Sequence, residues 1–291
     1  MRLAFLGTPL ESVASLRALV QHGHDVSVVV TRPDRRRSRG AAPAPSPVKA
    51  VATELGIPVI HQVSGLAQFE LDRGVVVAYG AMIPEAVLAR TPMLNVHFSL
   101  LPRWRGAAPV ERAILAGDEE TGVSIMSLDE TLDTGPVHLE RRLTIGEHTA
   151  SSLRSALGTL GARALVEVLE RPELLAHPVP QEGTATYAAK IQPADLHLNA
   201  AMSVEYVARV VRLERAWLFA DGRRLLVLAV RPFSGTVGPP GTIAAIDGEV
   251  VLNGYAGGVV IELLRPEGSR TMSAREWWRG RSTPSKEAVW G

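Results

Sequence analysis

Asn95, His97 and Ser99 alternate along one short apolar run, and a carboxylate, Asp133, sits further along on a Leu-Asp-Thr-Gly turn. Alternation on a strand places the first three on one face. The run leads into Ser99-Leu-Leu-Pro-Arg-Trp-Arg-Gly-Ala-Ala-Pro109, a Pro- and Gly-punctuated loop with Arg103, Trp104 and Arg105 in succession. An amide, an imidazole and a carboxylate beside such a loop form a candidate acyl-transfer site. Asn95 and His97 can donate to a developing oxyanion, and His97 can move a proton. Asp133 can accept from His97, fix its tautomer and raise its basicity, the logic of a triad without a nucleophilic serine. Ser99 lacks the Gly-x-Ser-x-Gly elbow of a serine hydrolase, and no HxxEH or HxH spacing supports a metal centre. A single histidine at a strand end is more often structural than catalytic, so these residues alone carry the reading no further.

The elements that must position them read as alternating strands and helices. Residues 2–6 form an apolar strand broken at Gly7-Thr8-Pro9. A helix follows with Val13, Leu16, Leu19 and Val20 as its stripe, and Val26–Val30 is a second strand. Strand, helix and strand in about thirty residues make a βαβ unit and hence a parallel sheet. One glycine in the first turn, where a dinucleotide fingerprint needs three, argues against an NAD-type enzyme. Further strands are expected at Pro58–His61, Gly74–Gly80 and Asn95–Phe98, with Val123–Ser127 and Pro136–Leu143 as a hairpin. Thr149 caps a long helix whose apolar positions 153, 157, 160, 164 and 168 keep helical spacing.

Thr31 to Pro47 holds five arginines and four prolines without any apolar period, so a loop is expected. A solvated loop and a phosphate-contacting arm fit it about equally well. Net charge is +1, from 31 basic and 30 acidic residues, and names no partner. The absence of cysteine removes disulfides, thiolate metal sites and a Cys nucleophile. No window reaches the ~18 apolar residues of a membrane helix, so a soluble protein is expected. Pro172–Pro193 reads as a linker. The remainder offers one helix, Val204–Val211, and short β-runs at 224–230, 241–246, 249–252 and 259–264 that suggest a small barrel. The last twenty residues read as a terminal arm.

Three strings carry a resemblance: Asn95 through Val110, Ala116-Gly-Asp-Glu-Glu-Thr-Gly-Val-Ser-Ile-Met126 and Leu132-Asp-Thr-Gly135. Phe5–Pro9, Thr31–Arg35, Pro45–Lys49 and Val77–Gly80 extend it upstream, and Tyr187-Ala-Ala-Lys190 and Met272-Ser-Ala274 more thinly downstream. Together they resemble the methionyl-tRNA formyltransferases, within the 10-formyltetrahydrofolate-dependent formyltransferases. The resemblance implies an α/β fold: a Rossmann-like catalytic domain over 1–180, a linker over 181–200, and an OB-like tRNA-binding β-barrel over 201–291. It implies Asn95, His97 and Asp133 as catalytic residues. The folate site becomes Ser99, Leu100, Leu101 and Pro102 with Tyr79, Gly80 and Ile83, and the tRNA arm Arg35, Arg36, Arg37 and Arg39. The implied reaction moves a formyl group from 10-formyltetrahydrofolate to the methionine α-amine of initiator tRNA, with no metal, in a cytoplasmic monomer. An amino sugar nucleotide N-formyltransferase, a 10-formyltetrahydrofolate hydrolase and a non-enzymatic RNA-binding relative are the alternatives. Phe98 stands where the family commonly has glycine and is expected to add bulk beside the site. Leu196–Asn199 and Leu213–Trp217 also depart from the family's usual strings.

Overall fold

The computed structural model describes residues 1–36, 42–281 and 287–290. Two compact units divide the chain. Met1–Val110, Glu119–Gly146 and Ser152–Ala189 make the first, and Glu111–Asp118, Glu147–Ser151 and Lys190–Gly291 the second.

The first unit is built on strands β1 (Arg2–Gly7), β2 (Asp25–Val30), β3 (Val59–Ile60), β4 (Arg73–Val77), β5 (Met93–His97), β6 (Glu120–Ser127) and β7 (Val137–Thr144). Their order is β7-β6-β5-β4-β1-β2-β3. The five from β5 to β3 run parallel, and β6 and β7 are antiparallel additions. Continuous apolar runs such as Leu3–Leu6, Val28–Val30 and Val75–Val77 are buried, as strands covered on both faces must be. The chain winds outward from β1 to β3 and then crosses back to β4 on the other side of β1. That reversal opens a crevice beyond the carboxyl ends of β1 and β4, the place where ligands bind in open α/β sheets. Ser12 ties the two ends together, its hydroxyl donating to the Val77 carbonyl at 2.7 Å.

The helix Ala150–Glu170 covers the face of β5 opposite to His97. It lies close because Gly161 has no side chain: a methyl there would meet Val96 Cγ1 at 2.6 Å and Phe98 Cε1 at 3.7 Å. Phe98 therefore packs toward this helix, and its bulk does not enter the face shared by Asn95 and His97. Strand parity requires this, since 96 and 98 point opposite to 95 and 97.

The arginine-rich stretch is not wholly loop. Arg35–Arg36 pairs with Pro43–Ala44 in a short antiparallel ladder, Arg35 opposite Ala44 and Arg36 opposite Pro43. At its base Lys49 meets Asp34 at 2.8 Å, and the Ser46 hydroxyl accepts from Lys49 N at 3.0 Å, capping the helix Pro47–Glu54. Arg37 and Arg39 lie outside the described residues.

In the second unit an antiparallel sheet runs in the order Trp217–Ala220, Arg223–Phe233, Gly257–Pro266, Glu249–Gly254, Thr242–Ile246, Glu287–Val289. Met272–Ser273 pairs beside Gly257–Pro266. Leu218, Leu225, Val227, Ile243, Val251 and Ile261 are among its buried residues. The helix Val204–Val211 adds Val207, Val210 and Val211 to the buried set, and its first turn is capped by Ser203. The arrangement is a half-barrel, and the end of the chain corrects the expectation of a terminal arm. Ala274–Arg279 is a helix with a Ser273–Glu276 capping box, and Glu287–Val289 pairs with Thr242–Ala244. Trp290, only 4% exposed, then bridges to Ala220 on the opposite edge of the sheet. No apolar period marked this segment, because three residues are too few to show one.

Trp290→Ala should destabilise the second unit by about 3 kcal/mol, the low end for removal of a buried Trp, since its indole N–H has no partner among the described residues. Chemical denaturation followed by far-UV circular dichroism should show the corresponding fall in midpoint.

Candidate active site

Asn95 and His97 lie on β5, and Asp133 stands in the connection between β6 and β7. All three are buried, at 9%, 5% and 8% exposure. Asn95 Nδ2 donates toward Asp133 Oδ1 at 3.5 Å, and His97 Nδ1 lies 3.6 Å from Asp133 Oδ2. The structure thus brings the carboxylate to the amide and imidazole, across 38 positions of sequence from Asn95. Asp133 adopts φ +54°, in the left-handed region that Asp tolerates better than most residues.

The loop after β5 folds over this group. Trp104 also has positive φ, +62°, which turns its carbonyl back toward the strand. His97 Nε2 lies 2.9 Å from that oxygen. A carbonyl only accepts, so Nε2 carries the hydrogen, and the tautomer is set here by Trp104 rather than by Asp133. Asp133 makes its short bond elsewhere: Gly106 N donates to Oδ2 at 2.8 Å. At 3.6 Å the imidazole and carboxylate stand at ion-pair range, beyond a direct hydrogen bond.

The Ser99–Pro102 segment is fixed from below. The Ser99 hydroxyl, fully buried, donates to the Arg103 carbonyl at 2.6 Å. Ser124 on β6 accepts from Leu101 N at 3.1 Å and donates to the Ser99 carbonyl at 2.8 Å. Leu101 is buried, whereas Leu100 and Pro102 are half-buried. Tyr79, Gly80 and Ile83 follow β4 in a different setting. Tyr79 belongs to a core cluster with Leu6, Val30, Val76 and Met93, against which Ile83 packs. Burial pushes the Tyr79 hydroxyl above the ordinary phenol range, against the opposing charge of Arg32. Arg32 donates to the Gly80 carbonyl. Arg35 and Arg36 are exposed.

Sequence reasoning missed Ser124, Gln181 and the stretch from Val179 to Ala188. Expected as linker, that stretch is part of the first unit and grips the loop: Tyr187–Ala188 pairs in parallel with Arg105–Gly106, and Trp104 N donates to Thr186 Oγ1 at 2.9 Å. Val179 bridges Val137. A two-residue ladder has no period to read, and the Tyr187-Ala-Ala-Lys190 string was the one local sign of it.

Chemically, the group offers an amide donor, an imidazole and a carboxylate, all buried from bulk water, with no hydroxyl or thiol nucleophile among them. Such a set can stabilise an oxyanion and relay protons. Among the described residues no three His, Asp or Glu side chains are grouped to hold a metal ion.

Residues 1–169 match the formyl transferase family, and residues 190–282 match the formyl transferase C-terminal domain. The chain belongs to the formyl transferase family. It is 43% identical over 297 residues to methionyl-tRNA formyltransferase from Thermus thermophilus, covering 96% of each chain. It is 42% identical to the Paracoccus denitrificans methionyl-tRNA formyltransferase, covering 98% of this chain and 99% of that one. In fold it also resembles HypX from Aquifex aeolicus, solved in complex with tetrahydrofolic acid. There the TM-score is 0.66 at 19% identity, over 95% of this chain and 46% of that longer one.

Ser124→Ala leaves the buried Leu101 N–H without its acceptor and should cost roughly 1–3 kcal/mol, the usual penalty for such a group. The midpoint of urea unfolding reads this directly.

Proposed function

We propose that this chain transfers the formyl group of 10-formyltetrahydrofolate to the α-amino group of methionine carried on initiator tRNA, giving N-formylmethionyl-tRNA for translation initiation. The observation that carries the chemistry is the buried meeting of Asn95, His97 and Asp133 beneath the Trp104 loop. The near full-length similarity to methionyl-tRNA formyltransferases supports the acceptor.

The amine attacks the formyl carbonyl and the carbonyl oxygen gains charge. Asn95 Nδ2, whose 3.5 Å bond to Asp133 is long enough to yield, donates to that oxygen, and His97 joins it by turning its Nε2–H away from the Trp104 carbonyl. The attacking nitrogen sheds a proton and the departing folate nitrogen takes one up. Asp133, already receiving Gly106 N–H, accepts or returns that proton with His97 as partner. The Ser99–Pro102 segment and Tyr79, Gly80 and Ile83 hold the folate at the carboxyl ends of β4 and β5. The exposed ladder of Arg35 and Arg36 meets tRNA phosphates, Arg37 and Arg39 being proposed to do the same, and the domain over 201–291 adds tRNA surface beyond the 181–200 segment. No helix among the described residues is long and apolar enough to cross a membrane. We read the enzyme as a cytoplasmic monomer, since its tRNA acceptor is found there.

The deciding experiment supplies 10-formyltetrahydrofolate with methionyl initiator tRNA, with an amino sugar nucleotide, or with no acceptor. Formylmethionyl-tRNA should be the product. Sugar formylation, or formate released at the same rate without acceptor, would overturn the assignment. His97→Ala should lower turnover by ~10²-fold or more while folate affinity stays nearly intact, as expected for lost transition-state stabilisation. Reversing charge at Arg35 and Arg36 should raise KM for tRNA and flatten its dependence on salt, with KM for folate unchanged.

A further inference from the structure

Gln181 carries no role in the reaction as described, yet its amide is fully engaged at the site. Nε2 donates to the Asp133 carbonyl at 2.9 Å and to the Gly135 carbonyl at 2.8 Å. Oε1 accepts from Arg105 Nε at 3.0 Å and Arg105 Nη2 at 2.7 Å. Arginine only donates and carbonyls only accept, so one orientation of the amide satisfies all four bonds. These bonds join the turn that bears Asp133 to the loop whose next residue, Gly106, donates to the same carboxylate.

The turn needs such a brace. Asp133 is held at φ +54°, a conformation that persists only where the surroundings enforce it. Gly135 leaves no slack on the other side, since a methyl there would lie 1.9 Å from the Ser127 carbonyl. The Asp133 carboxylate already stands at 3.5 and 3.6 Å from its two partners, so a small rotation of the turn would separate them.

We propose that Gln181 is a positioning residue for formyl transfer: by clamping the 133–135 backbone to Arg105, it aims the Asp133 carboxylate at His97 and Asn95. This rests on the reading of Asp133 as part of the reaction centre. Gln181 acts through Asp133 and touches neither substrate, so its loss lowers kcat and leaves both KM values in place.

The test measures kcat, KM for folate and tRNA, and melting temperature for Gln181→Ala, Gln181→Glu, Asp133→Ala and the double variant Gln181→Ala/Asp133→Ala in the full chain. Gln181→Ala should reduce kcat about tenfold or more with each KM within about twofold. Gln181→Glu retains acceptors for Arg105 but faces two carbonyls with an oxygen, so it should be impaired as well. A purely structural tie to Arg105 would leave it active. In the Asp133→Ala background, Gln181→Ala should cost less than about twofold more, because there is no carboxylate left to aim. Losses that multiply across the double variant, or full turnover in either Gln181 variant, overturn the proposal. If Gln181→Ala does not fold, Gln181→Glu decides. Full turnover in Asp133→Ala instead overturns the reading of the site itself, and this inference with it.

Discussion

A carboxylate removed from water governs the first unit. Asp133 is 8% exposed, and a buried charge is tolerated only where donors replace its lost hydration. The protein supplies two, the Gly106 N–H from the loop and the Asn95 amide from β5, and sets the His97 ring 3.6 Å away. Each donor must arrive with the right aim, and much of the surrounding architecture follows. The loop from Ser99 to Gly106 is pinned by Ser124, Thr186 and the Tyr187–Ala188 ladder so that one backbone N–H faces one oxygen.

Backbone conformation does as much here as side-chain choice. Asp133, Trp104 and Gly106 all have positive φ, and they meet at the same few atoms. Trp104 turns a carbonyl toward His97, Gly106 turns an N–H toward Asp133, and Asp133 turns its own side chain inward. Two non-glycine residues at positive φ, Trp104 and Asp133, beside one buried imidazole are typical of sites where strain is retained for function.

How much of this was legible depended on range. The alternation of Asn95, His97 and Ser99, the apolar runs of β1, β2 and β4, the β6–β7 hairpin and the spacing in Ala150–Glu170 are local patterns, and they read correctly. Parity also held the answer for Phe98, which shares its face with Val96 and packs toward Gly161. What escaped was pairing at a distance. Gln181 meets Arg105 from 76 positions away and Thr186 meets Trp104 from 82, through segments too short to show periodicity. The Arg35–Arg36 ladder and the strand Glu287–Val289 were missed for the same reason. The choice of Trp104 as the partner of His97 Nε2 was invisible because it is made by a backbone oxygen, which every residue type carries equally.

The bridge between Trp290 and Ala220 ties the order of synthesis to the order of folding. Every other strand of the second sheet leaves the ribosome before residues 287–290, so the inner edge at Thr242–Ala244 is unpaired while the nascent chain is still being extended. The first unit has its seven sheet strands by Thr144 and the brace of its active loop by Ala188. Domains generally fold as they emerge, N-terminal first. A growing chain would therefore finish its chemical centre well before the second sheet is sealed, with residues 287–290 acting as the latch.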